Sequence, residues 1–109
     1  MSYMCKLKLT LRVKRYGIEC SSVDLINLPF SFVYLEDDNN ICIYADSFEG
    51  DFNGFSFPIH AIITHNLNDN NYDLTLNGKH CKMIKSDREI TISLQDNEET
   101  KLITFEIIS

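Results

Sequence analysis

Apolar and polar residues alternate with a period of two along most of the chain, and no segment sustains a helical period for three turns. In the first segment Tyr3, Cys5, Leu7, Leu9, Leu11 and Val13 fall on one face, while Lys6, Lys8, Thr10, Arg12 and Lys14 fall on the other. A strand of that pattern buries one face and leaves the second wet and basic. Phe30 to Glu36 and Ile41 to Ala45 follow as two further strands. Between them lie Asp37-Asp38-Asn39-Asn40, residue types that tolerate left-handed backbone and bond their own main chain, so a hairpin is predicted. Both strands are apolar on both faces, which places them centrally in a sheet or under a covering loop.

The segment from Tyr72 to Lys85 is the most informative locally. Asn77-Gly78 suits a two-residue type I′ turn, in which both central residues need positive φ. That turn sets a register: Leu76 opposite Lys79, Thr75 opposite His80, Leu74 opposite Cys81, Asp73 opposite Lys82 and Tyr72 opposite Met83. Downstream, Ile90, Ile92 and Leu94 alternate with Thr91 and Ser93, Gln95 to Thr100 reads as a polar loop, and Leu102 to Ile108 as a closing strand. Phe57 to Thr64 reads as a strand entered beside Pro58, followed by a loop over the polar run His65 to Asn71. Asp46 to Pro58 is the least regular stretch. Ser21 to Pro29 offers Ser caps, an early acid and a Pro stop, which predicts one short helical turn near residues 22–27.

About eight short strands at close spacing predict an all-β fold, an antiparallel β-sandwich or a small barrel, with the sandwich preferred. At 109 residues and 44% hydrophobic, the chain is expected to form one domain over residues 1–109.

Charge adds the sharpest non-structural signal. All ten Lys and Arg residues lie before residue 16 or after residue 78, so Ser21 to Gly78 holds nine carboxylates and no base. Net charge is −6. Such a field suits a cation or a basic partner and argues against a nucleic-acid backbone or an anionic membrane. The basic stripe of the first strand, Lys6, Lys8, Arg12, Lys14 and Arg15 with Tyr3 and Tyr16, is the one segment that runs the other way, but outward charges on a strand also serve to discourage edge pairing. No apolar run approaches the roughly 18 to 20 residues of a membrane span, and charges interrupt the N-terminal segment where a signal peptide would be apolar. A cytoplasmic setting is therefore expected, with the four cysteines reduced rather than bridged.

Candidate chemistry is sparse. Glu49-Gly50-Asp51-Phe52-Asn53-Gly54, with Asp46 upstream, spaces oxygen donors as a looped hard-cation site does and resembles the opening of an EF-hand loop. Glu49 stands where that loop has Asp, and His60 stands where it has its bidentate Glu, so no metal ligand or cofactor is assigned. Cys spacings of 15, 22 and 39 residues contain no close pair of the kind zinc sites use. His60 and His65 have opposite strand parity, which keeps them on different faces. A Cys/His pair such as Cys42 with His60 is compatible with the sequence, yet no nucleophile motif surrounds any cysteine, and no catalytic residue is assigned.

A non-catalytic, protein-binding role is the remaining expectation. Three acidic loops, around Glu36 to Asn40, Asp46 to Asn53 and Asn68 to Asp73, form a cation-binding rim or a protein interface if the topology brings them to one end of the domain, and are solubilising faces if they lie at opposite ends. The nominated partner-binding residues are Glu36, Asp37, Asp38, Asp46, Glu49 and Asp51, with Phe52 as an apolar anchor. In size, acidity and lack of an active-site motif the chain resembles the immunity proteins that neutralise bacterial nuclease toxins. That resemblance is one of type, carried by no particular motif, and it implies one-to-one binding that covers a basic active cleft. The competing expectations are a Ca²⁺-dependent ligand- or carbohydrate-binding module and a self-assembling structural β-domain.

Overall fold

The computed structural model describes residues 3–25, 32–45, 49–52 and 55–107. These form eleven strands and no helix. In chain order they are β1 (Tyr3–Arg15), β2 (Ile18–Leu25), β3 (Phe32–Glu36), β4 (Asn40–Ala45), β5 (Gly50–Phe52), β6 (Phe55–Phe57), β7 (Ile59–Asn68), β8 (Asn71–Leu76), β9 (Lys79–Lys85), β10 (Glu89–Asp96) and β11 (Glu99–Ile107). No helix among the described residues is long and apolar enough to cross a membrane.

The architecture is all-antiparallel, as the alternation implied. The main sheet runs β11-β10-β9-β8-β7-β4-β3-β1-β2, and an additional pairing of β11 with β1 brings its ends together. β1 makes this possible by its length. Its first half, Tyr3 to Leu7, pairs with β3, while Leu9 to Arg15 pairs on that same edge with β2. The opposite edge, Leu7 to Arg15, pairs with β11. The result is a single curled sheet of small-barrel form rather than two separate facing sheets. Around an eight-strand ring the interior is just wide enough for side chains to fill.

That interior is filled from β1, β4 and β7 to β11. Leu11, Ile41, Ile43, Ile59, Ala61, Leu74, Leu76, Cys81, Met83, Ile90, Ile92, Ile103 and Phe105 are buried, and they occupy alternate positions of the strands they come from. Phe55 and Phe57 complete the cluster from β6, which pairs with β5 as a separate two-stranded sheet. The irregular Phe- and Gly-rich stretch is thus a hairpin on the connection from β4 to β7, with the two phenylalanines of its second strand packed into the core.

The hairpin predicted over Asn77-Gly78 has the expected register at all five positions. Asn77 and Gly78 adopt φ of 51° and 78°, as type I′ geometry requires. Tyr16 and Gly17 repeat this conformation between β1 and β2, at 51° and 77°. The β3–β4 hairpin also forms as expected.

Three local expectations are corrected. Residues 22–25, assigned to a helical turn, belong to β2, because Ser22 to Leu25 pair with Leu9 to Arg12 of β1 and ladder bonds override local capping; residues 26 and 27 lie outside the described residues. The polar run from His65 is mostly strand, since β7 extends to Asn68 and β8 resumes at Asn71. The loop assigned to Gln95 to Thr100 shrinks to a two-residue turn, with Asp96 paired to Glu99 and Asn97 at φ 56°.

Two substitutions separate backbone from packing contributions. A Cβ on Gly78 would meet nothing within 4 Å, so Gly78→Val tests conformation alone; it should cost about 1–2 kcal/mol. Phe105→Ala, which opens a cavity in the core, should cost about 3–5 kcal/mol. Urea unfolding of both variants checks the order, and equal losses would contradict it.

Candidate functional site

The strand directions divide the turns between two ends of the curled sheet. One end carries the β3–β4, β7–β8 and β9–β10 turns; the other carries the β1–β2, β8–β9 and β10–β11 turns and the β4–β7 connection. Two of the three acidic loops therefore share an end, and the third does not. Asp37 and Asp38 share an end with Asp69, and Asp87 and Glu89 of the β9–β10 turn join them there. Glu49 and Asp51 stand on the connection at the opposite end, so they cannot belong to the same patch. Asp46 lies outside the described residues. Phe52 pairs with Phe55 in the β5–β6 hairpin, which belongs to the same β4–β7 connection. Because Gly50–Phe52 is extended and paired, the segment likened to a cation-binding loop is the first arm of a hairpin.

Each turn at the first end is fixed by a side chain of its own. Asp37 accepts hydrogen bonds from the backbone N–H of Asn39 at 3.0 Å and of Asn40 at 2.8 Å, and from Asn40 Nδ2 at 3.1 Å. The Asn39 amide, then the Asn40 side chain, hold the Asp37 carboxyl below its ordinary pKa. In the next turn Asn68 Oδ1 accepts from Asn71 Nδ2 at 2.7 Å. In the third, Ser86 donates from both its backbone N–H and its Oγ to the Glu89 carbonyl, at 2.8 and 3.3 Å. Backbone bonds then tie turns to neighbouring strands: Ile63 N–H donates to Asn39 O at 2.9 Å, and Lys85 N–H donates to Asn70 O at 2.8 Å. The outcome is a continuous, stiffened rim with exposed Asp37, Asp38, Asp69, Asp87 and Glu89.

Glu36 behaves differently from the other nominated acids. Its cross-strand partner is the buried Ile41, and it forms an ion pair with Lys85, which shares the parity of buried Cys81 and Met83 on β9. The two side chains retain only 13% and 23% of their exposure. Glu36 therefore helps to close the mouth of the curled sheet, and its charge is compensated there.

Among the described side chains, the basic stripe is interleaved with carboxylates. Thr10, Arg12 and Lys14 line a groove of about 360 Å³ whose other walls include Glu89 and Glu106. Arg12 faces Glu19 at 3.7 Å, and Arg15 Nε donates to Glu99 Oε2 at 2.9 Å.

Histidine placement was misread for a physical reason. A bulge between Ile63 and His65 inserts one residue into β7, so His65 comes opposite Asp73 on the outward face that His60 also occupies. Asp73 lies under His80, whose Nε2 is 3.3 Å from Asp73 Oδ1, an ion-pair distance without hydrogen-bond alignment. Among the described residues no three His, Cys, Asp or Glu side chains converge as a metal site.

Two predictions follow from the rim's chemistry. Lys85→Met should destabilise by about 1–3 kcal/mol by taking Lys85 away from a largely buried carboxylate, and Glu36→Gln added to it should restore most of that loss; urea titrations of the single and double variants decide. Asp37 has a depressed folded pKa, so its contribution is complete above the unfolded value of about 4 and is lost as pH falls through the lower folded value. The stability gap between the parent and Asp37→Ala should accordingly narrow on acidification, and a gap independent of pH would contradict this assignment. No protein-family model, no curated protein and no solved structure matches this chain.

Proposed function

We propose that the chain is a non-catalytic binding domain that docks a basic protein against the acidic rim, in the manner of an immunity protein covering the cleft of a nuclease toxin in the cytoplasm. The observation that carries this reading is the rim itself: Asp37, Asp38, Asp69 and Asp87 stand exposed on three successive turns at one end. Carboxylates on turns already fixed by Asp37, Asn68 and Ser86 lose little conformational freedom on binding. Their one-signed field speeds encounter with a cationic surface and disfavours acidic competitors. Glu36, compensated by Lys85, is a structural support for the rim in this reading, and Glu49, Asp51 and Phe52 fall outside the contact.

Self-assembly through an edge is the second reading that an observation favours. Among the described residues β2 pairs only with β1. Antiparallel pairing of two copies about Ser21 and Ser22 would, however, set Glu19 opposite Asp24, and like charges directly opposed are destabilising.

Affinity capture from the native cell at low salt, with a repeat wash at high salt, tests the rim. A single stoichiometric basic protein should be retained at low salt and weakened at high salt. It should be lost from Asp37→Lys/Asp38→Lys and kept by Glu49→Lys/Asp51→Lys. Loss from the second variant alone, or recovery of the bait alone, would refute the assignment. Concentration-dependent sedimentation of the free protein would favour the edge instead.

A further inference from the structure

The outward face of β4 and β7 holds a constellation that the acidic rim does not use. Ile41 and Ile43 of β4, and Ile59 and Ala61 of β7, point into the core, so Cys42 and His60 between them point outward. They are direct cross-strand partners, with Cys42 Sγ 3.2 Å from His60 Nδ1. Tyr44, two residues along the same face, sets its ring edge-on to the imidazole at 5.9 Å and 90°. Charge on Cys42, then burial and a hydrogen bond to the same sulfur, raise the Tyr44 hydroxyl above its ordinary pKa. Both a proton acceptor and a phenol hydroxyl thus attend one thiol. On the other side Cys42 pairs with Leu35 of β3, the next outward pair is Asn40 with Ile62, and the Asp37 carboxylate, bonded to Asn40 Nδ2, stands beyond them.

Cys81 and Cys20 lack this company. Cys81 is buried in the core, where desolvation pushes its thiol up. Cys20 is exposed, donates its S–H to the Ile18 carbonyl oxygen at 3.6 Å and interacts with the Arg15 guanidinium, so it has a cation beside it rather than an imidazole.

We propose that Cys42 and His60 form a thiol–imidazole pair that makes this face a site of reversible thiol–disulfide exchange with small disulfides. The pair stands on the outside of a curled sheet rather than in a cleft, which suits a reaction that needs only in-line access to one sulfur. The Sγ proton passes to His60 Nδ1, the imidazole carrying its own ring proton on Nε2. The thiolate attacks one sulfur of the disulfide; the Sγ–S bond forms as the S–S bond breaks, and the departing thiolate leaves with the electron pair and takes the proton from the imidazolium. Cys42 is oxidised to a mixed disulfide and the small disulfide is reduced to one free thiol. Tyr44 is a positioning residue, steadying the imidazole by its ring contact and the sulfur by its hydroxyl.

The test treats the native protein with dithiodipyridine, an uncharged disulfide, follows release of thiopyridone, and assigns each modified cysteine by peptide mapping. Cys42 should react ahead of Cys20, a comparison that needs no substitution. His60→Asn should slow Cys42 about tenfold or more and remove the imidazole step from its pH–rate profile, leaving the Cys20 rate unchanged. Oxidised glutathione should then give a mixed disulfide at Cys42 that reduced glutathione reverses. A Cys42 rate no faster than that of Cys20 would overturn the proposal. So would a His60→Asn variant that loses thermal stability but keeps the Cys42 rate, since the contact would then only brace β4 against β7.

Discussion

The structure depends on β1 having both backbone edges occupied along most of its length. One edge meets β11 over Leu7 to Arg15, and the other is shared end to end by β3 and β2. A sheet whose first and last strands pair has no open ladder at the seam, and every alternate side chain points at a common interior. The burial of Leu11, Ile103 and Phe105 beside that seam is a consequence of closure. Were β1 only half as long, it could meet either β3 or β2 on that edge, and the ring would lose one of its joints. The charged outward positions of β1 are compatible with this central role because only its inward face has to be apolar.

Closure also decides what the segregated charge becomes. The chain from Ser21 to Gly78, which has no base, supplies β3, β4, β7 and β8 as one arc of the sheet. The bases return on β9, directly against β8, and β1 brings its own against β3. Ion pairs arise where acid and base elements face each other: Glu36 with Lys85, Arg15 with Glu99, Arg12 with Glu19. Carboxylates carried on turns, such as Asp37 and Asp69, stay exposed at the end of the sheet. A net charge of −6 is thus expressed less along the strands than at their ends.

Features set by neighbouring residues were legible in the sequence, and features set by distant ones were not. The Asn77-Gly78 register could be read because turn chemistry fixes the pairing within a few residues. The Asp37 turn could be read because its bonds run to Asn39 and Asn40. By contrast, the strand over 22–25 exists because β1 offers it a ladder, and Ser-rich composition gave no sign of that. The bulge at Thr64 reverses the parity of His65, and nothing in the residues around it requires an insertion. The acidic residues were identifiable by type, but which of them share an end follows from the number and direction of strands, and that is what separates Glu49 and Asp51 from Asp37 and Asp38.

The juxtaposition of Cys42 with His60 belongs to that second kind and explains why alternation alone undervalues outward positions. In β4 the pattern Ile-Cys-Ile-Tyr-Ala is apolar throughout and reads as a strand buried on both faces. Yet Tyr44 retains 38% exposure, and Cys42 is only partly covered. A cysteine in such a run is ordinarily scored as a small hydrophobe, and a histidine 18 residues later as an isolated surface group. What joins them is the register of β4 on β7, in which Ile43 meets Ile59 and Ile41 meets Ala61. The inward pairs fix that register by burial, and the outward pair is carried along with it. A one-residue slip would bring His60 and Cys42 out of contact while exposing those buried side chains, so the core itself holds the thiol and the imidazole together.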